Sequence, residues 1–112
     1  MHELAITRSV VDAVCEHTAG APVAVVYVRV GKLSGVVPDA MRFCFDMVAE
    51  GTPVQGARLD IEEPDGLARC RTCGQDFDLQ NLILLCSCGS ADVEVLSGSE
   101  LSVTSVEVVE HV

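Results

Sequence analysis

A chain of 112 residues can bury one modest core, and an apolar share of 49% with three Phe, one Tyr and no Trp means that core is built from aliphatic side chains. Seventeen acidic against seven basic side chains give a formal charge of −10, a field that repels phosphate backbones, argues against a nucleic-acid partner and favours a cation or a basic protein surface. No stretch approaches the roughly 18 consecutive apolar residues of a membrane helix, and the start lacks the basic region of a secretory signal, so the expectation is a cytoplasmic chain, off the membrane, whose six cysteines stay reduced.

In chain order, residues 4 to 18 place Ile6, Val10 and Val14 four apart, with Leu4, Val11 and Cys15 widening the stripe, which predicts an amphipathic helix ended by Gly20 and Pro22. Val26, Val28 and Val30 then alternate with Tyr27 and Arg29, the period of a half-buried strand. Gly31 to Gly35 reads as a loop. A second helix starts at Pro38, has Asp39 in its first turn, presents Met41, Phe45 and Val48 on one face and stops at Gly51 and Pro53. Ala57, Leu59 and Ile61 alternate with Arg58, Asp60 and Glu62 as a second strand up to the turn Pro64-Asp65-Gly66.

After Ser97-Gly98-Ser99, Leu101 and Val103 share one parity while Val106 and Val108 share the other. A bulge near Thr104-Ser105 would bring all four to one face. The expected fold class is α+β: a small three-stranded sheet with two helices on one face, interrupted by an inserted zinc-ribbon-like module. The expected division is a discontinuous α/β domain over residues 1–66 and 98–112 and a metal-binding domain over 67–97.

Within that insert, Cys70-x-x-Cys73-Gly74 and Cys86-x-Cys88-Gly89 have the form of two tight turns gripping one ion, so Cys70, Cys73, Cys86 and Cys88 are the candidate ligands of a Zn(II) site. Four sulfur ligands fill the coordination sphere and leave no position for a reactive water, which makes the site structural. The plainer alternative is that some of these cysteines are small buried apolar residues. Cys15 and Cys44, on helices without close cysteine neighbours, are expected to be buried and inert.

A second metal of different character is suggested by Met1-His2-Glu3. The Met1 amine, the His2 backbone nitrogen and imidazole, and the Glu3 carboxylate can occupy the corners of a tetragonal site suited to Ni(II) or Cu(II). The alternative is a plain helix start in which Glu3 complements the positive dipole end, a choice that Asp39 also faces on the second helix. His17, near the end of the first helix, reads as a dipole partner or surface group.

Enzyme chemistry finds little support. Gly31-Lys32-Leu33 lacks both the hydroxyl residue and the earlier glycine of a phosphate-binding loop, and nothing near His17 forms a nucleophile and base constellation. The competing non-enzyme reading is a zinc-ribbon adaptor that binds no second metal, with a thiol redox protein as a third option.

Taken together, the chain resembles the HypA/HybF family, the nickel metallochaperones of [NiFe]-hydrogenase maturation. The resemblance is carried by Met1-His2-Glu3-Leu4, by Val30-Gly31-Lys32-Leu33-Ser34-Gly35-Val36 with Pro38-Asp39, and by Phe43-x-Phe45. Cys70-x-x-Cys73-Gly74, Leu85-Cys86-x-Cys88-Gly89-Ser90 and Val95-Leu96-Ser97-Gly98-Ser99-Glu100-Leu101 complete it. It departs from the family at Cys86-Ser87-Cys88, where two residues usually separate the cysteines. The resemblance implies nickel on His2 and its neighbours, with Met1, Glu3 and Asp39 at positions that bear on nickel or on partner contact. It also implies delivery to the hydrogenase large subunit with a HypB-type GTPase, and it leaves a homodimer open.

Overall fold

The computed structural model describes residues 3–110. Its elements in chain order are α1 (Glu3–His17), β1 (Val23–Val30), α2 (Pro38–Ala49), β2 (Arg58–Glu62), β3 (Gly66–Cys70), β4 (Asp76–Leu79), β5 (Val93–Ser97) and β6 (Leu101–Val108). They form two three-stranded sheets, ordered β2-β1-β6 and β4-β3-β5, along a body of 57 × 26 × 18 Å.

In the first sheet, α2 carries the chain across so that β2 lies parallel to β1, with Val26 opposite Leu59 and Val28 opposite Ile61. A parallel neighbour needs such a crossover, because a tight turn can only reverse the chain. The final strand β6 returns antiparallel on the other side of β1. The register jumps from Tyr27 opposite Ser105 to Val28 opposite Val103, leaving Thr104 as the extra residue, and its hydroxyl donates to the Tyr27 carbonyl at 3.3 Å. The expected bulge is present, and Val106 packs against the core beneath the helices.

Helix α1 buries Ile6, Val10, Val11 and Val14, and the hydroxyl of fully buried Thr7 donates to the Glu3 carbonyl at 2.6 Å, which satisfies it. The helix closes with Ala19 and Gly20 at φ of 53° and 80°, so that the Gly20 N–H reaches the Cys15 carbonyl at 3.1 Å. Helix α2 starts at Pro38 and contributes Met41, Phe45 and Ala49 to the same core as Val26, Val28 and Val30. The two helices pack on each other, and both contribute to that one core. The opposite face carries Tyr27, Arg29, Arg58 and Asp60 at alternating positions and is polar. Among the described residues, no helix is long and apolar enough to cross a membrane.

The insert is more structured than the cysteine spacing alone suggests. Gly66 to Cys70 is flanked on either side by antiparallel β4 and β5, and Ala68, Cys70, Leu79, Cys86 and Val93 form a second buried cluster. Leu33, read from sequence as part of a loop, is the sixth member of that cluster. Its segment is tied to the returning chain by the Gly31 N–H to the Glu100 carbonyl and the Leu33 N–H to the Gly98 carbonyl, both at 2.8 Å. The crossing is so close that a Cβ on Gly31 would sit 2.0 Å from the Gly98 carbonyl oxygen, and one on Gly98 would sit 2.4 Å from the Gly66 Cα. Glycine is required there for space.

Candidate metal centre

Cys70 ends β3, and the chain turns back at once: the Gly74 N–H bonds the Cys70 carbonyl at 2.8 Å, and the Cys70 N–H bonds the Gln75 carbonyl at 2.9 Å. Gly74 sits at φ 79°, a conformation other residues adopt only with strain. In the second turn the Gly89 N–H bonds the Cys86 carbonyl at 2.9 Å with Gly89 at φ 94°. One turn therefore closes over five residues and the other over four. The missing residue of Cys86-Ser87-Cys88 is absorbed in the turn, and the sulfurs still converge.

All four sulfurs lie within 4.8 Å of one another. Cys70 Sγ is 3.7 Å from Cys88 Sγ, and Cys73 Sγ is 3.7 Å from Cys86 Sγ. Four thiolates about 2.3 Å from a tetrahedral ion stand about 3.8 Å apart, so the sulfurs have the spacing of a ligand cage and are too far apart for disulfides. Each turn supplies one inner and one outer sulfur: Cys70 and Cys86 are buried, whereas Cys73 and Cys88 are exposed. The four cysteines thus form a single all-thiolate metal site.

The electrostatics of the cluster ask for a cation. The Cys73 backbone N–H, 3.5 Å from Cys70 Sγ, is the main reason the Cys70 thiol falls to about 6. At Cys88 the Ser90 N–H favours the thiolate, but the neighbouring Cys86 and Cys70 sulfurs and burial outweigh it and push the thiol up to about 12. The Cys73 thiol is also raised, with the Gln75 N–H outweighed by burial and by the Cys70 and Cys86 sulfurs. Four negative sulfurs so close together cannot coexist unaided, and a divalent ion supplies the missing charge while displacing protons.

Around the cage are partners that spacing did not single out. The hydroxyls of Thr72 and Ser90 meet at 2.8 Å and link the two turns, Arg71 pairs with Asp92 at 3.0 Å, and Arg69 pairs with Asp76 at 2.8 Å. The signal for the hydroxyl link was present: Thr72 precedes Cys73, and Ser90 follows Gly89, at the two apices. The partners of the arginines are fixed by strand register and could not be read locally.

Met1 and His2 lie outside the described residues. Glu3 opens α1, and Asp39 lies in the first turn of α2, where its carboxylate pairs with Arg42 at 2.9 Å with the Asp39 side chain 94% exposed. Among the described residues, the four cysteines are the group of metal-ligating side chains that comes together. Cys15 and Cys44 are half-buried, less enclosed than expected, and His17 is exposed in the last turn of α1.

The geometry agrees with what known proteins show. A family model described as hydrogenase/urease nickel incorporation, metallochaperone, HypA matches residues 1–108. The hydrogenase maturation factor HypA of Nostoc punctiforme is 44% identical over 110 residues, covering 98% of this chain and 97% of its own. That of Geotalea uraniireducens is 46% identical over 109 residues, covering 96% and 99%. The solution structure of the Ni metallochaperone HypA from Helicobacter pylori superposes with a TM-score of 0.65 at 27% identity, over 99% of this chain and 100% of that one. A match that runs through both sheets and the four-cysteine site, at these identities and with this coverage, places the chain in the HypA family of hydrogenase/urease nickel-incorporation metallochaperones.

Proposed function

We propose that this chain carries Ni(II) on Met1, His2 and Glu3, with Asp39 close to the delivery step, and releases it to the large subunit of a [NiFe]-hydrogenase with the help of a HypB-type GTPase. The four-cysteine site holds Zn(II) as a structural ion. The chain acts in the cytoplasm, where its thiols stay reduced, and it catalyses no reaction of its own. Residues 1–66 with 98–112 form the cargo-bearing unit and 67–97 the zinc unit, and a homodimer is compatible with this arrangement.

The observation that carries this reading is the completeness of the sulfur cage. Four sulfurs at tetrahedral spacing hold an ion tightly and offer it no easy exit, so an exchangeable cargo needs a separate site with harder ligands. The family match begins at residue 1 and so includes Met1-His2-Glu3. Such a site binds through an amine, an amide and an imidazole that all compete with protons, so nickel affinity falls as pH falls.

The test is metal analysis and nickel titration calorimetry on tag-free protein beside His2→Ala. One zinc in both and one nickel lost in the variant is the expected result. An N-terminal extension should abolish tight nickel binding as well, because it consumes the amine, and Asp39→Ala should weaken binding or delivery less than His2→Ala does. Zinc without any His2-dependent nickel would leave a zinc-ribbon adaptor in place of a carrier.

A further inference from the structure

Helix α1 buries one polar side chain. Its other buried residues are Ile6, Val10, Val11 and Val14, and among the described residues Thr7 is the polar residue that the interior encloses completely. A valine would have nearly the same shape without taking a hydroxyl out of water. The hydroxyl instead makes one bond, to the Glu3 carbonyl one turn back, at 2.6 Å. Two other hydroxyls bond back to α1 in the same way, Ser9 to the Ala5 carbonyl at 3.1 Å and Thr18 to the Val14 carbonyl at 2.9 Å. Ser9 is exposed, so water competes for its bond, and Thr18 serves the far end of the helix. The Thr7 bond is the shortest of the three, and it grips the first turn from inside the core.

That turn is where a grip matters. The first four N–H groups of a helix have no partner within it. Packing also closes incompletely here: Ile6 borders a cavity of about 220 Å³ together with Ser34, Gly35, Ser99 and Leu101. Glu3 is the residue at which the chain passes from the Met1-His2 segment into the helix. The hydroxyl bond falls on its helix side. The peptide plane that carries the Glu3 carbonyl is rigid, so holding that oxygen fixes rotation about the bond from the Glu3 Cα to its carbonyl carbon and leaves the N-terminal side of the residue unconstrained.

We propose that Thr7 is a positioning residue for nickel: its buried hydroxyl holds Glu3 at the head of α1, so that the Glu3 carboxylate and the Met1-His2 segment before it take the ion from a fixed base. This rests on the carrier reading above. An ion chelated by the start of a chain must order the residues that wrap it, and order already present in the nickel-free protein does not have to be created at binding. Thr7 does not touch the ion and acts through the Glu3 carbonyl. Because the anchor lies on the helix side of Glu3, the amine, amide and imidazole stay free to exchange protons and metal.

Three substitutions at this position separate the hydroxyl from the packing around it. Thr7→Val keeps the branched shape and removes the hydroxyl; the Glu3 carbonyl keeps its helical N–H partner, so no buried group is orphaned. Thr7→Ser keeps the hydroxyl and removes the methyl group, and Thr7→Ala removes both. The experiment is nickel titration calorimetry on tag-free, full-length protein with the four-cysteine site filled, beside a thermal melt and amide hydrogen exchange of the same samples without nickel. Met41→Ala, a cavity in the same core away from Glu3, is the control for lost stability alone.

Thr7→Val should weaken nickel binding about three- to tenfold while its melting temperature stays level or rises. Exchange should quicken at the Thr7 and Arg8 amides, whose helical acceptors are the carbonyls of Glu3 and Leu4. Thr7→Ser should bind nickel within about twofold of the unaltered protein although it melts lower, Thr7→Ala should lose affinity as Thr7→Val does, and Met41→Ala should melt lower with nickel affinity unchanged. The Ser and Ala pair decides the matter even if Thr7→Val fails to fold. Unchanged nickel affinity in the variants without the hydroxyl, equal losses in Thr7→Ser and Thr7→Ala, or affinity that follows melting temperature across all four proteins would overturn the proposal and leave the carrier reading standing. Absence of His2-dependent nickel in the unaltered protein would sink the carrier reading and this proposal with it, so the two failures are distinguishable.

Discussion

Val26, Val28, Val30, Met41 and Phe45 exclude water by packing against one another beneath two helices, whereas Leu33, Ala68, Cys70, Leu79, Cys86 and Val93 close a much smaller cluster in which two of the six residues are cysteines of the metal site. The first region is held by aliphatic area spread over a sheet and two helices, and each side chain contributes a fraction of the total. The second has too little apolar area to order three short strands unaided, and its sulfurs repel one another until a cation joins them. The two regions should therefore fail independently and for different chemical reasons.

Removing the metal should separate the two regions most strongly. Chelation at neutral pH, or Cys73→Ala, should unfold the β4-β3-β5 sheet and leave α1, α2 and β1 folded, with a loss on the order of 10 kcal/mol of metal-linked folding free energy. Amide spectra recorded before and after chelation decide it, and simultaneous collapse of both sheets would show a single cooperative unit. The same site sets a pH dependence. Cys88, with its thiol pushed up to about 12, is protonated in the metal-free protein at neutral pH, as Cys73 is by its raised value. Metal must displace those protons, so affinity rises with pH and falls on acidification, and chelator competition at two pH values measures the slope.

Smaller effects should separate the regions in the other direction. Met41→Ala opens a cavity at a fully buried position of the first core and should cost roughly 2–5 kcal/mol, read by chemical denaturation, with the metal content of the four-cysteine site unchanged. Gly31→Ala strikes the junction, where the added Cβ meets the Gly98 carbonyl oxygen at 2.0 Å. A loss of roughly 1–3 kcal/mol together with altered amide shifts in both regions is expected. Shifts limited to the first region would show that the glycine crossing does not couple the two. The smallest change has the opposite sign: Ala19, at φ 53°, should gain about 0.5–1 kcal/mol when replaced by Gly, because the left-handed conformation is strained for a residue with a Cβ. A thermal melt with the four-cysteine site filled reads this directly.

Much of the first region was legible. Apolar residues spaced by four marked α1, Pro38 marked the start of α2, and alternating valines marked β1. The parity break at Val103 and Val106 located the bulge that the register places at Thr104. Less of the insert could be read. The strands β3, β4 and β5 are four or five residues long and gain their shape from the pairing and the metal turns, so they have little periodicity of their own. Leu33 was unreadable as a core residue because the surface it covers is formed by Ala68 and residues still further along the chain. Cys15 and Cys44 were expected in the interior and are half-buried instead, since a lone cysteine gives no signal of which edge of a helix stripe it occupies.

By itself the sequence determined what is local: which segments become helices and strands, where the turns fall, and that four cysteines in two glycine-closed turns hold one metal ion, because each depends on residues a few positions apart. The tertiary structure alone decided the strand order β2-β1-β6, the fit of Leu33 into the second core, the glycine crossing at Gly31, Gly66 and Gly98, and the open edge of β6. Those depend on segments brought together across tens of residues, where the final arrangement is set by packing and backbone pairing between surfaces that no local pattern specifies.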